Sequence, residues 1–238
     1  MNIYSILLTA IFPIVILSFY IWRRDKNQPE PTKLLLKAFF FGVISIFVSL
    51  CISIPFGLLG LYQDEPNSVI GAISCAFFGA AIPEETAKLL MLWLVLRNNK
   101  YFDEKMDGIV YAVFVSLGFA AFENITYLFN NIEDFLSVGI SRSIFAVPGH
   151  FCYGILMGYY YSLVKFYPSA TLRTKVMVLL APIIAHGVYD SLLMVMPVIH
   201  PIFNVPLFLL FLVFCWKMWK FSSLRIKEHL LRDGILNN

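Results

Sequence analysis

Apolar runs long enough to cross a bilayer recur from one end of the chain to the other and leave little sequence between them. A membrane-spanning helix needs about 20 mainly apolar residues, and about seven stretches meet that length. They run approximately from Ile3 to Trp22, Leu34 to Tyr62, Val69 to Leu96, Ile109 to Phe129, Ser143 to Val164, Val176 to Ile199 and Ile202 to Trp219. With 59% hydrophobic and 14% charged residues among 238, the chain is too apolar for a soluble domain, where about a quarter of residues carry charge. The first run is too long for a signal peptide and has no basic segment before it, so it reads as a retained helix. The expected fold is all-α, a polytopic membrane helix bundle, with a single integral membrane domain over residues 1–238 and a cytoplasmic tail at 220–238.

The connections give an orientation. Arg23, Arg24, Lys26 and Lys33 follow the first run, Arg97, Lys100 and Lys105 the third, and Lys165, Arg173 and Lys175 the fifth. Lys217, Lys220, Arg225, Lys227 and Arg232 follow or close the seventh. The alternate connections carry Asp64, Glu65, Glu133 and Asp134, with no Lys or Arg before Arg142 at a boundary. The positive-inside rule then puts the amino terminus outside and the carboxyl terminus in the cytoplasm. Lys220 to His229 reads as a positive stop, or else as a basic helix lying on an anionic inner leaflet. The net charge of +3 is absorbed by this topology, so no nucleic-acid partner is expected. The four cysteines lie in apolar runs without CxxC spacing, so neither disulfides nor a thiolate metal site is expected. Tyr159, Tyr160 and Tyr161 read as an interfacial aromatic belt. The absence of a convincing internal repeat argues against an inverted-repeat transporter.

A charge near the bilayer centre costs roughly 2.5–3.5 kcal/mol on insertion scales, so ionisable groups inside the runs mark function. Well inside the runs they are few, with Lys37 near enough to a helix end to snorkel: Glu84, Glu85 and Lys88 in the third run, Glu123 in the fourth, His150 in the fifth, and His186 with Asp190 in the sixth. A polar core built from the third to sixth helices and wrapped by three apolar ones follows. At about 1.5 Å of rise per residue, these groups fall between the midplane and the outer half, within roughly 10 Å of one another in depth. Glu84 and Lys88 stand four residues apart, suited to a helical ion pair, which leaves Glu85 as the freer carboxylate. Pro83, after Gly79, Ala80 and Ala81, is placed to kink the helix beside the acids. His186 and Asp190 are also four apart, so Asp190 can fix the imidazole tautomer. His150, Gly154 and Gly158 form a stripe that lets a neighbouring helix approach closely.

These groups are the components of hydrolysis. A glutamate takes a proton from water, and a histidine stabilises the oxyanion or protonates the leaving amine. The same set can hold zinc, with His150, His186 and Glu123 as candidate ligands and Glu84 or Glu85 as base. HExxH is absent, and no Ser or Cys with an adjacent base stands out. A non-catalytic membrane scaffold that uses the polar cluster for assembly is the alternative from a different class. An ion-coupled transporter is a third.

Pro83-Glu84-Glu85-Thr86-Ala87-Lys88 resembles the EExxK motif of the PrsW family of bacterial intramembrane proteases. Phe102 to Tyr111, followed by Gly118-Phe119-Ala120-Ala121-Phe122-Glu123-Asn124, is similar to that family's next block. His150 and the His186, Asp190 pair match its remaining positions, so the likeness covers roughly residues 82–192. The resemblance implies catalytic Glu84, Glu85, Glu123, His150, His186 and Asp190, with Lys88 and Asn124 in support. It also implies a multi-pass protein of the bacterial plasma membrane. Its expected substrate is a single-span membrane protein, an anti-sigma factor cut first near its outer face in a stress response that frees an extracytoplasmic-function sigma factor. The wider superfamily includes CAAX prenyl endopeptidases and bacteriocin-processing proteins. Asp190 and the Phe119-xxx-Glu123 spacing favour the PrsW branch. In the CAAX-type relatives the first glutamate of the pair is usually the base, whereas local spacing here favours Glu85.

Overall fold

The computed structural model describes residues 3–25 and 28–234. Lys26, counted above among the basic residues, and positions 235–238 of the expected tail lie outside the described residues. Long apolar helices dominate, and no strand occurs among the described residues. The expected runs correspond to α1 (Ile3–Arg24), α2 (Thr32–Leu58), α3 (Val69–Ser74) continuing into α4 (Ile82–Leu96), α5 (Lys105–Asn130), α7 (Ala146–Phe166), α8 (Leu172–Met194) and α9 (Asn204–Arg232). One further helix, α6 (Phe135–Ile144), lies in the connection between α5 and α7.

Six of these spans are long and apolar enough to cross a membrane by length and composition. The exception is α7, whose inward positions include Gly154, Gly158, Tyr153 and Tyr159. A helix enclosed by its neighbours needs close packing more than an apolar outer surface. The helix at the centre is α5, buried along its length from Met106 to Leu128. Both flanking contacts use glycine at the point of closest approach. A Cβ on Gly118 would lie 2.0 Å from the Phe39 carbonyl oxygen of α2, and one on Gly158 of α7 would lie 2.2 Å from the Gly108 carbonyl oxygen of α5. The His150, Gly154, Gly158 stripe therefore does face a close neighbour, and that neighbour is α5.

The third span is interrupted ahead of Pro83 by a π-helical stretch. Ser68 caps α3, accepting from the Gly71 N–H at 3.1 Å. The π turns run over Cys75–Ala81, and α4 begins at Ile82 with Pro83 in its first turn. Proline there costs α4 no interior hydrogen bond. Widened π turns re-aim the residues that follow and recur at functional sites. Here the residues that follow are Glu84 and Glu85.

At the other end of the bundle the segment beyond Trp219, expected as a positive stop or a basic helix on the leaflet, is part of α9, which continues to Arg232 and buries Ser222, Ile226, His229 and Leu230. Its apolar positions recur at helical spacing among the basic ones, and they dock on the protein. Asp233 then accepts from the Lys105 and Met106 N–H groups at 3.1 and 2.9 Å, closing the start of α5. Tyr159 does not belong to a lipid-facing belt. It is buried, and its ring stacks on His229 at 4.5 Å.

Candidate active site

Four helices deliver the site, as the polar inventory required: α4 carries Glu84, Glu85 and Lys88, α5 Glu123, α7 His150, and α8 His186 and Asp190. Their side chains meet beside a cavity of about 470 Å³ lined in part by Glu84, Glu123, Arg142, His150, His186 and Asp190.

Lys88 is the hub. Its Nζ lies 3.2 Å from Glu84 Oε2, 2.8 Å from Glu85 Oε1 and 3.1 Å from His150 Nδ1, and it sits 4.0 Å over the Phe119 ring. The predicted Glu84–Lys88 pair is therefore present, but the shorter contact goes to Glu85. Spacings of three and four residues both reach the same helix face. His186 of α8 settles the asymmetry by placing Nδ1 2.9 Å from Glu85 Oε1. Glu85 is thus fully enclosed, its side chain 0% exposed, while that of Glu84 is 17% exposed and lines the cavity. The expectation that Glu85 is the freer carboxylate is reversed: Glu84 is.

A second chain of contacts runs through Glu123. Its Oε2 lies 2.8 Å from His150 Nε2 and accepts from Arg142 Nη2 at 2.8 Å. Arg142 Nε also donates to Asn124 Oδ1 at 2.6 Å, and Asn124 Nδ2 donates to the Ala10 carbonyl of α1 at 3.1 Å. Asn124 thus ties the site to an outer helix. Sequence reasoning missed Arg142, taking it for a boundary charge. The available signal was its isolation, since it is the lone cation of an otherwise acidic connection. It also missed Tyr153, whose ring stacks on His186 at 4.7 Å and meets His150 edge-on.

The histidines show what the arrangement can hold. His186 faces Glu85 through Nδ1 and Asp190 through Nε2 at 3.1 Å, so Asp190 does orient the ring. His150 receives the Lys88 ammonium at Nδ1, which leaves the proton on Nε2 to be donated to Glu123. The expected zinc set of His150, His186 and Glu123 is not assembled around one point. The donors that do lie within 4.8 Å of one another are those of Glu84, Glu85 and His150. That group is of a type that could hold a metal ion, but the Lys88 ammonium stands in contact with all three members. With Lys88 in place, no histidine lone pair is left for a metal, so the residues as arranged do not fit zinc.

Known proteins resemble this chain over most of its length. Residues 30–216 match the family model described as PrsW family intramembrane metalloprotease. The chain is 36% identical over 218 residues to Protease PrsW of Clostridioides difficile (strain 630), covering 90% of this chain and 88% of the relative. It is 32% identical over 192 residues to Protease PrsW of Geobacillus kaustophilus (strain HTA426), covering 80% of each. Protease PrsW of Bacillus subtilis (strain 168) is 30% identical over 191 residues, covering 80% of this chain and 83% of that one. No solved structure matches the chain. On these matches and on its bundle of long apolar helices, the chain belongs to the PrsW family and is a multi-pass bacterial membrane protease.

Proposed function

We propose that the chain hydrolyses a peptide bond of a membrane-anchored protein at the cavity beside Glu84. The observation that carries this is the division of labour in the glutamate pair. Glu84 opens onto the cavity, whereas Glu85 is locked between Lys88 and His186. A water molecule in the cavity gives a proton to Glu84 as its oxygen attacks the scissile carbonyl carbon. The tetrahedral oxyanion is stabilised from the cavity wall by the Arg142 guanidinium, which keeps N–H groups beyond those it gives to Glu123 and Asn124. Collapse breaks the C–N bond, and the proton held by Glu84 passes to the leaving amine. Glu85 and Asp190 hold His186, and Lys88 and Glu123 hold His150, so the wall keeps its shape while Glu84 cycles. The reading is glutamate-driven, with no zinc in the reaction. It is supported by the commitment of both imidazoles described above.

The substrate we propose is an anti-sigma factor anchored by one span and cut first toward its outer face. Family membership supports this, as does the depth of the acids counted along the runs. The test is coexpression of a single-span anti-sigma factor with wild-type protein, Glu84→Gln and Glu85→Asp. Glu84→Gln should lose at least about 10³-fold of the cleavage rate, with melting temperature little changed because its carboxylate is partly exposed. Glu85→Asp should lose much less. If Glu84→Gln still cleaves while Glu85→Asp does not, the base is Glu85 and the proposed roles are wrong.

A further inference from the structure

A second acidic cluster lies far from the protease site, at the end of the bundle where the connection from α1 to α2 meets the start of α5. Asp25, Glu30 and Asp107 are each buried, at 1%, 5% and 1% exposure. Each offers a carboxylate oxygen within 4.8 Å of the other two. Asp107 stands 16 residues before Glu123 on α5, about 24 Å along the helix axis.

Carboxylates so placed are ordinarily balanced by a cation. None of the ion pairs among the described residues involves Asp25, Glu30 or Asp107. Local hydrogen bonding satisfies part of the cluster. Tyr111 donates to Glu30 Oε2, and Asp107 Oδ2 accepts from the Asp103 and Glu104 N–H groups at 3.0 and 2.7 Å as the N-terminal capping box of α5. What remains is aimed inward: both oxygens of Asp25 and Oδ1 of Asp107 are buried without a hydrogen-bond partner among the described residues. A buried carboxylate with two bare oxygens is costly unless something outside the chain supplies the missing partner.

We propose that Asp25, Glu30 and Asp107 form a binding site for a divalent cation of the oxygen-ligated class, Mg²⁺ or Ca²⁺. The donors are oxygens only, with no thiol or imidazole among them, which selects hard cations over zinc. Three oxygens within 4.8 Å of one another lie no more than about 2.8 Å from a common point, close to the calcium–oxygen distance, and reach the shorter magnesium distance if they draw in. Bound there, the cation clasps the end of α1 and the approach to α2 onto the first turns of α5. Gln28 already reaches the same place, donating to Glu104 at 2.7 Å, and Asp233 joins it from α9. The ion would therefore brace the helix that carries Glu123 from its far end.

The test uses the full chain, purified in detergent, stripped with a chelator and titrated separately with Mg²⁺ and Ca²⁺ while thermal unfolding is followed. Wild type should show a saturable rise in melting temperature, on the order of 5 °C at a hundredfold excess over Kd. Asp25→Asn, which removes the charge and keeps the side chain's size, should fold and weaken the cation's effect more than about tenfold. Whichever ion gives the larger shift at its lower concentration names the occupant. No saturable shift with either ion overturns the proposal. An equal shift in Asp25→Asn overturns it as well.

Discussion

At the scale of single residues, the site turns on one ammonium group. Lys88 is 1% exposed and touches two carboxylates, an imidazole nitrogen and an aromatic face. Removing one partner from such a group leaves buried charge uncompensated, which costs about 3–5 kcal/mol. Lys88→Met should accordingly lower the melting temperature far more than Glu84→Gln does. The same ammonium carries a prediction about metal. Active wild-type protein should contain less than about 0.1 zinc per chain, and a chelator should leave cleavage intact while Lys88 holds its place. Stoichiometric zinc with chelator-sensitive cleavage would mean that Lys88 swings away in the working enzyme. Elemental analysis beside an activity assay decides this. The residue types were legible in the sequence because charge in hydrocarbon is rare. Their partners were legible only within one helix, where spacing fixes the face. His186 on Glu85 and Arg142 on Glu123 bridge different helices, and no local spacing encodes that.

At the scale of elements, the central α5 and its neighbour α7 are held at backbone contact, and that contact sets the distance between Glu123 and His150. A Cβ on Gly158 would stand 2.2 Å from the Gly108 carbonyl oxygen and 2.6 Å from the Ile109 Cα, both backbone atoms that no rotamer change can move. Gly158→Ala must push the two helices apart. We expect a loss of about 1–3 kcal/mol in stability, as for overpacking elsewhere. Cleavage should fall with it, because the 2.8 Å contact from His150 to Glu123 lies on the same pair of helices. Thermal unfolding and a cleavage assay on the same preparation check this, and unchanged values in both would show that the helices do not meet there. The glycine stripe was readable from its spacing, and so was a break before Pro83. The form of the break was not, since π turns depend on what packs against the widened segment. Phe77 of that segment packs against α8 at Gly187.

At the scale of the whole molecule, the basic connections prove to share one end of the bundle. Gln28 meets Glu104, Lys105 meets Asp233, and Arg225 meets Tyr159, which draws together the ends of α1, α5, α7 and α9. Span lengths and the alternation of charged connections made this arrangement legible, because each crossing reverses the chain. The docking of α9 beyond Trp219 escaped notice because its basic residues mask an apolar face that only the folded bundle completes. The shared basic end argues for a definite orientation, since cytoplasmic connections carry the excess of Lys and Arg. The amino terminus should then be outside and the carboxyl terminus in the cytoplasm, with the acidic Asp25 cluster facing a compartment rich in magnesium. Fusion of a fluorescent protein to the carboxyl terminus should give fluorescent cells, and an alkaline phosphatase fused at the same point should be inactive. The connection between α2 and α3, tested with the same two reporters after Asp64, should give the reverse pattern. An active phosphatase at the carboxyl terminus would invert the bundle, moving the cation site to the outer face and the proposed cut toward the inner one.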